Sequence, residues 1–165
     1  MTTRVLPAPP ADDDGPEARR LLGPAWDSSW PRLVSTSGFD VVRAPEQYAA
    51  PAVEHLRRLR APHGSVAAEG ADLQFFVPPD SGSLPWPDIV TYITRSAVWV
   101  PHRSAHRLGL TLRWAVRDDE TGRLLTAPLV LWATLTALAP PARPRPPAAA
   151  PGYRGPKRTP VRTTR

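Results

Sequence analysis

The stretch Ser65-Val-Ala-Ala-Glu-Gly-Ala-Asp-Leu-Gln-Phe-Phe-Val77 decides how this chain folds. It holds two short apolar runs, 65–68 and 73–77, separated by Glu-Gly-Ala-Asp. Apolar runs of this length around a glycine-containing loop predict a β-hairpin. Two prolines follow the second run and end it, because proline cannot donate a hydrogen bond to a neighbouring strand. The other predicted elements are placed around this hairpin.

Upstream of the hairpin the sequence predicts one strand and one helix. Phe39-Asp-Val-Val42 is typical of a short strand. The stretch after Pro45 through Arg60 is typical of a helix, and Pro51 is expected to mark its true first turn, where proline is tolerated. The apolar residues that share one face of this helix are Val53, Leu56 and Leu59.

Downstream of the hairpin the sequence predicts two more helices and two more strands. A helix is expected over 87–95, because proline suits a first helical position and apolar residues follow at helical spacing. Residues 97–100 and 110–116 are typical of strands, and apolar and polar residues alternate in the second of them. Thr126 is expected to cap a last helix that runs to Leu138.

This order of elements predicts an α+β fold. Strand, helix, strand, strand, helix, strand is the succession of a split βαβ sandwich, ferredoxin-like or RNA-recognition-motif-like, here with an extra strand and a C-terminal helix. The composition divides the chain into a mostly flexible segment over 1–36, a domain over 37–138 and a disordered Pro- and Arg-rich basic tail over 139–165. Within the first segment, Trp26 and Trp30 are expected to pack on the domain.

Charge is distributed unevenly between these segments. Residues 39–138 carry ten Arg and ten acidic residues, whereas 139–165 carry seven basic residues and no acid. The domain as a whole therefore has no net attraction for nucleic acid, and the tail is the predicted nucleic-acid-binding segment. Its basic residues are Arg143, Arg145, Arg154, Lys157, Arg158, Arg162 and Arg165.

The absence of cysteine limits the chemistry of the chain. Without Cys there are no disulfides, thiolate metal sites or Cys nucleophiles, and the composition fits a reducing compartment. The first residues lack the apolar core of a signal peptide, and an Asp12-Asp-Asp14 run follows them. We therefore expect a cytoplasmic protein.

The stretch 39–138 also resembles a known family. It is similar to the bifunctional DNA primase/polymerase N-terminal-domain proteins of filamentous high-GC bacteria. The residues that carry the resemblance are Phe39-Asp-Val-Val42, Gly64-Ser-Val-Ala-Ala68, Phe75-Phe-Val-Pro-Pro79, Leu84-Pro85, Val100-Pro101, Leu112-Arg-Trp-Ala-Val116, Thr121-Gly-Arg-Leu124 and Pro128-Leu-Val-Leu131.

The resemblance implies a primase-type catalytic core on an RNA-recognition-motif-like fold. Such cores hold two divalent metals with an acidic-hydrophobic-acidic motif on a strand, and they add a small-x-His motif and a third acid. In this chain Asp72 is the first acid, but Gln74 stands where the second carboxylate is expected. Ser104-Ala-His106 has the small-x-His form, and Asp118 is the candidate third acid. If the chain were an enzyme, Asp72, His106 and Asp118 would form its site, with a divalent metal as cofactor.

Other chemistries find less support in the sequence. It lacks the glycine-rich phosphate-binding motifs and the nucleophile elbow. His102 and His106 have no third ligand beside them, so they predict an exposed loop rather than a zinc site. Residues 124–142 carry no charge, which raises a tail-anchored membrane protein as an alternative. Its helical part, 126–138, is shorter than the roughly 20 residues that a membrane span needs.

The sequence thus favours a non-enzymatic accessory or interaction protein with a degenerate primase/polymerase-like domain. Its expected partners are a protein and, through weak affinity of the basic tail, nucleic acid; no cofactor is expected. The alternatives are a DNA primase/polymerase-type nucleotidyl transferase and a tail-anchored membrane protein.

Overall fold

The structure is a computed structural model that describes residues 15–105 and 111–141. Within these ranges the fold is α+β. The elements in chain order are α1 (Pro16–Trp26), β1 (Arg32–Ser35), β2 (Asp40–Pro45), α2 (Glu46–Leu59), β3 (Val66–Glu69), β4 (Asp72–Val77), β5 (Thr91–Ile93), β6 (Ala97–Val100), β7 (Leu112–Val116), α3 (Asp118–Thr121) and α4 (Pro128–Leu138).

The predicted hairpin is the middle of a five-stranded antiparallel sheet. The strand order is β5-β2-β4-β3-β7, so β4 lies between β2 and β3, which α2 connects. Residues opposite each other include Val42 and Phe75 in the β2–β4 pair, and Val66 and Phe75 in the β3–β4 pair. Phe75 therefore has a branched apolar neighbour on each side, which is a favourable cross-strand combination.

The two helices α2 and α4 cover one face of the sheet. Phe75 and Val77 point into this core, together with Leu56 of α2 and Leu131 and Leu135 of α4, and all five are fully buried. Burying each of these side chains contributes on the order of 2 kcal/mol to stability. The helices and the sheet face form one continuous hydrophobic core.

The other face of the sheet is covered as well. Strands β1 and β6 pair with each other as a separate two-stranded sheet, which we call the ribbon. The inner side chains of the ribbon, with those of α1, form a second core around Phe39, Phe76 and Trp114. The Phe76 ring lies 5.6 Å from the ring of Phe39 and 6.0 Å from that of Trp114. The domain therefore has three layers, with the sheet in the middle.

The described part of the N-terminal segment is folded onto this second core. The composition predicted a mostly flexible segment over 1–36, but α1 buries Ala18, Leu22 and Ala25 completely, and β1 pairs with β6. The apolar residues of α1 recur at spacings of three and four, which is enough for one buried stripe on a short helix. Trp30 does not pack as expected, because its side chain is 77% exposed.

The predicted helix over 87–95 is wrong. Residues Thr91–Ile93 form the edge strand β5, which pairs with β2. Threonine, tyrosine and isoleucine favour strands, and pairing with an already formed neighbour outweighs the helical spacing of only three apolar residues. The following strand β6 joins the ribbon instead of the main sheet. The structure therefore does not contain the full ferredoxin-like succession of elements.

Two details of the predicted helices also differ. Pro51 lies inside α2 rather than in its first turn, because the helix begins at Glu46 directly after β2. Thr126 does not cap α4, which begins at Pro128. Instead, the Thr126 hydroxyl accepts a hydrogen bond of 2.9 Å from the backbone N–H of Gly64. This bond joins the segment before β3 to the segment before α4.

Gly64 generates a stability prediction. A β-carbon at this position would lie 2.2 Å from the backbone oxygen of Leu124, so Gly64→Ala forces two backbone segments apart. We expect Gly64→Ala to lower the free energy of unfolding by about 3 kcal/mol. The same change at Gly23, where the added carbon meets no atom within 4 Å outside its chain neighbours and its own helix backbone and where Pro24 follows, should change it by less than about 1 kcal/mol. Urea denaturation of both variants tests this, and equal effects would contradict it.

Candidate functional site

Asp72 lies at the start of β4, on the sheet face that carries Gln74 and Phe76. The residue directly opposite it is Glu69 of β3. Opposed residues in an antiparallel pair have their side chains on the same face, so the hairpin brings two carboxylates together. Glu69 was not predicted as a site residue, because its closeness to Asp72 depends on the strand register.

The Glu69 carboxylate is already occupied by neighbouring side chains. Its Oε2 atom accepts a hydrogen bond of 2.5 Å from the Arg43 guanidinium and another of 2.5 Å from the Gln74 amide. Arg43 and Glu69 are each about one-third exposed, whereas Gln74 is fully buried. An arginine in direct contact competes with a metal cation for the same carboxylate. The arrangement is that of a structural ion pair at the end of the sheet.

The other residues of the predicted catalytic set do not complete a site in the described part of the chain. His106 lies outside the described residues, as do all seven basic residues predicted to bind nucleic acid. Asp118 begins α3, directly after β7. Within residues 15–105 and 111–141, no group of three or more His, Asp or Glu side chains is arranged to hold a metal ion.

Asp40, at the start of β2, is a buried carboxylate that was not predicted from the sequence. It is 2% exposed and accepts a hydrogen bond from the hydroxyl of Tyr92. Burial, together with this bond, raises the pKa of Tyr92 well above its usual range. Tyr92 also stacks on Trp86, at 6.2 Å between ring centres. Asp40 therefore anchors the edge strand β5 to the sheet.

The outer face of the ribbon carries an exposed apolar cluster. Leu33 and Trp99 lie directly opposite each other in the ribbon and are 58% and 47% exposed. Trp30 lies three residues before Leu33 and is 77% exposed. The inner residues Val34 and Val98 are buried, so the ribbon is apolar on both faces. Folding explains the inner face, whereas an exposed apolar cluster is typical of a binding surface.

The two segments that contain the ribbon strands carry charges of one sign. Residues 28–39 and 94–105, which contain both of its strands, hold three arginines and no acidic residue. The arginines are Arg32 at the start of β1, Arg95 just before β6 and Arg103 just after it, and all three are exposed. The net neutrality of the domain conceals this local excess of positive charge.

Helix α4 is the apolar segment that raised the membrane alternative. It spans 11 residues and packs on α2, with Leu131 and Leu135 fully buried. In the described part of the chain, no helix is both long and apolar enough to cross a membrane.

Comparison with models of protein families, with curated protein sequences and with solved structures found no match. The interpretation of these surfaces therefore rests on the residues themselves.

The Glu69 site generates a prediction about the missing carboxylate. Gln74→Glu completes the acidic-hydrophobic-acidic pattern but places a second buried carboxylate against Glu69, which disfavours the charged form and raises the pKa of the new carboxyl group. We expect the variant to lose roughly 2–4 kcal/mol of stability at pH 7. A carboxyl group whose pKa is higher in the folded than in the unfolded state destabilises the folded state at pH values above its unfolded-state pKa. The loss of stability should therefore shrink as the pH falls toward about 4.

Gln74→Leu is the matched control for this substitution. Leucine has a similar size and removes the Gln74 Oε1 atom, which is buried and has no hydrogen-bond partner. Its stability should lie within about 1 kcal/mol of the original chain. Urea denaturation at pH 4 and pH 7 measures both variants, and a Gln74→Glu variant as stable as Gln74→Leu at pH 7 would show that the site accommodates two carboxylates.

Proposed function

We propose that this protein is a non-enzymatic accessory protein that binds single-stranded nucleic acid on the outer face of the ribbon. The observation that carries the proposal is the exposure of Trp30, Leu33 and Trp99 in segments 28–39 and 94–105, which form the ribbon and hold no acidic residue. The basic residues of the C-terminal segment add contacts to phosphates. The domain itself is a degenerate relative of the primase/polymerase type.

Aromatic side chains support this proposal because nucleic-acid bases stack on them. Each base stacked on an aromatic side chain contributes about 1–3 kcal/mol, and every base offers a suitable face. Trp30 and Trp99 have the exposed indole surface that such stacking needs. Leu33 extends the apolar surface beside Trp99.

Electrostatics favour nucleic acid over a protein partner at this surface. Arg32, Arg95 and Arg103 lie in the two segments that form the ribbon, and these segments themselves contain no carboxylate; Arg95 also lines a cavity with Asp40 and Asp80. Arginine contacts phosphate through a planar fork of donors, and its guanidinium also stacks on bases. Aromatic side chains among arginines are the combination that single-strand binding proteins use.

The layered fold supports placing the interface on the ribbon. RNA-recognition motifs stack bases on an open face of their sheet. In this chain, α2 and α4 cover one face, and α1 and the ribbon cover the other. Within the described ranges, the exposed Trp99 lies on the ribbon and the exposed Trp30 lies two residues before its first strand.

The non-enzymatic part of the proposal is supported by the Glu69 site. Arg43 and Gln74 already hold the Glu69 carboxylate that would have to bind metal with Asp72. No observation in the described residues favours the nucleotidyl-transferase alternative or the membrane-anchor alternative over this one.

The test is fluorescence anisotropy of a labelled single-stranded oligonucleotide titrated with the full chain. We expect Trp30→Ala and Trp99→Thr each to weaken binding about tenfold or more, because each removes a stacking surface. Leu129→Ala removes an equally exposed apolar side chain, 63% accessible on α4, and should leave the affinity unchanged. A full-length variant with the seven C-terminal basic residues changed to Gln should mainly reduce the salt dependence.

The outcomes separate the proposal from its competitors. Ribbon variants that bind as tightly as the original chain would overturn the interface. Binding lost only in the C-terminal variant would assign nucleic-acid affinity to the tail alone. If the chain had no affinity for single strands but bound a protein through Trp30 and Trp99, the partner of this surface would be a protein and not nucleic acid.

A further inference from the structure

A second surface of interest lies at the C-terminal end of α2, which packs on the sheet face opposite to the ribbon. A cavity of about 530 Å³ opens there, between the end of α2 and the segment that follows α3. The charged and titratable side chains that line it are Arg57, Arg60, His63, Glu120 and Arg123. Three of these side chains are arginines and one is a carboxylate, so guanidinium groups predominate among the charged groups that line the cavity.

Arg60 occupies an unfavourable backbone conformation at the edge of the cavity. Its φ and ψ angles of 51° and 33° lie in the left-handed region, where glycine is the usual residue after a helix. Its backbone N–H caps α2 by donating to Arg57 O. Glycine would close the helix with less strain, so the cap does not explain the arginine side chain. This side chain is exposed and has no ion pair among the described residues.

His63 has a ring nitrogen that no neighbour uses. Its Nδ1 atom lies 2.9 Å from the backbone oxygen of Ala61, so Nδ1 carries a proton and donates it. The Nε2 atom is buried and has no hydrogen-bond partner. Nε2 is therefore not in contact with the open space of the cavity, which only the accessible part of the ring lines.

Arg57 and Glu120 limit the affinity of the cavity for anions. Arg57 contacts Glu120 at 3.2 Å and Glu54 at 3.6 Å, so these two carboxylates partly neutralise it. Both contacts are exposed, and such ion pairs exchange readily with other partners. Glu120 also repels any anion that enters the cavity.

We propose that this cavity binds a phosphoryl group. Arginine forks match the three oxygens and double charge of a terminal phosphate better than the single charge of a carboxylate, and the Arg60 fork is exposed without an ion pair among the described residues. The group would belong either to a small phosphate ester or to the end of a nucleic-acid strand. The proposal is independent of the ribbon interface, since α2 and the ribbon lie on opposite faces of the sheet.

The experiment measures the affinity of the full chain for inorganic pyrophosphate by isothermal titration calorimetry. Arg60→Gly should weaken binding about five- to twentyfold, because it removes one cation from the cavity. The fold should tolerate this change, since glycine adopts the left-handed conformation without strain. Arg58→Ala is the matched control, because Arg58 lies in the same helical turn but does not line the cavity.

A variant with the opposite expected effect keeps the test independent of folding. Glu120→Gln removes the carboxylate that lines the cavity and should tighten pyrophosphate binding by roughly three- to tenfold. If Arg58→Ala and Arg60→Gly weakened binding equally, the affinity would come from the general positive charge of this surface, and the proposed site would be wrong. No binding at millimolar pyrophosphate, or no gain from Glu120→Gln, would also overturn it.

A comparison of two ligands distinguishes the sources of the phosphoryl group. A nucleoside monophosphate that binds as tightly as pyrophosphate, with the same dependence on Arg60, would identify a small phosphate ester. A short oligonucleotide that binds tightly only when its 5′ end is phosphorylated would identify a strand terminus. Either result supports the site, and binding of both ligands without any dependence on Arg60 would contradict it.

Discussion

The rest of this structure depends on the burial of β4 on both of its faces. Phe75 and Phe76 are adjacent in sequence and point to opposite sides of the sheet, and both are fully buried. Two large rings on opposite faces require two separate layers to cover them. Helices α2 and α4 cover Phe75, and α1 with the ribbon covers Phe76. The three-layer architecture follows from this one strand.

The double burial also determines where function can lie. The central part of the sheet is enclosed by apolar side chains, so its polar residues are confined to its ends. The Arg43–Glu69–Gln74 group occupies one such place, and the Asp40–Tyr92 pair occupies another. In both groups the carboxylate accepts hydrogen bonds from neighbouring side chains, whereas the Nε atom of Arg43 and the Oε1 atom of Gln74 are buried without a partner. The two proposed binding surfaces lie elsewhere, on the outside of the ribbon and in the cavity at the end of α2.

The sequence predicted the central elements well because their signals are local. The hairpin of β3 and β4, the strand β2 and the helix α2 each carry a strong run or a regular apolar spacing. The predicted helix over 87–95 was wrong because three apolar residues at helical spacing also fit a short edge strand. The helix α1 was missed because its buried residues are mainly small, and Pro24 lies within it.

The candidate sites were harder to predict because they depend on contacts between distant segments. Asp72 was identified, but its neighbour Arg43 comes from β2, and only the strand register reveals the ion pair that occupies Glu69. The excess charge of the ribbon was hidden by counting the domain as one unit. Its strands are more than 60 residues apart in the chain, so only their pairing brings Leu33 and Trp99 to one surface.

The most direct test of the ribbon interface is the response of the indole N–H resonances of tryptophan to a single-stranded oligonucleotide in NMR. Trp30 and Trp99 lie on the proposed interface, whereas the indole groups of Trp86 and Trp132 donate to Ser81 O and Pro85 O elsewhere in the domain. If single strands bind the ribbon, we expect the resonances of Trp30 and Trp99 to shift on titration while those of Trp86 and Trp132 stay in place. Shifts at Trp86 and Trp132 with unchanged ribbon resonances would contradict it.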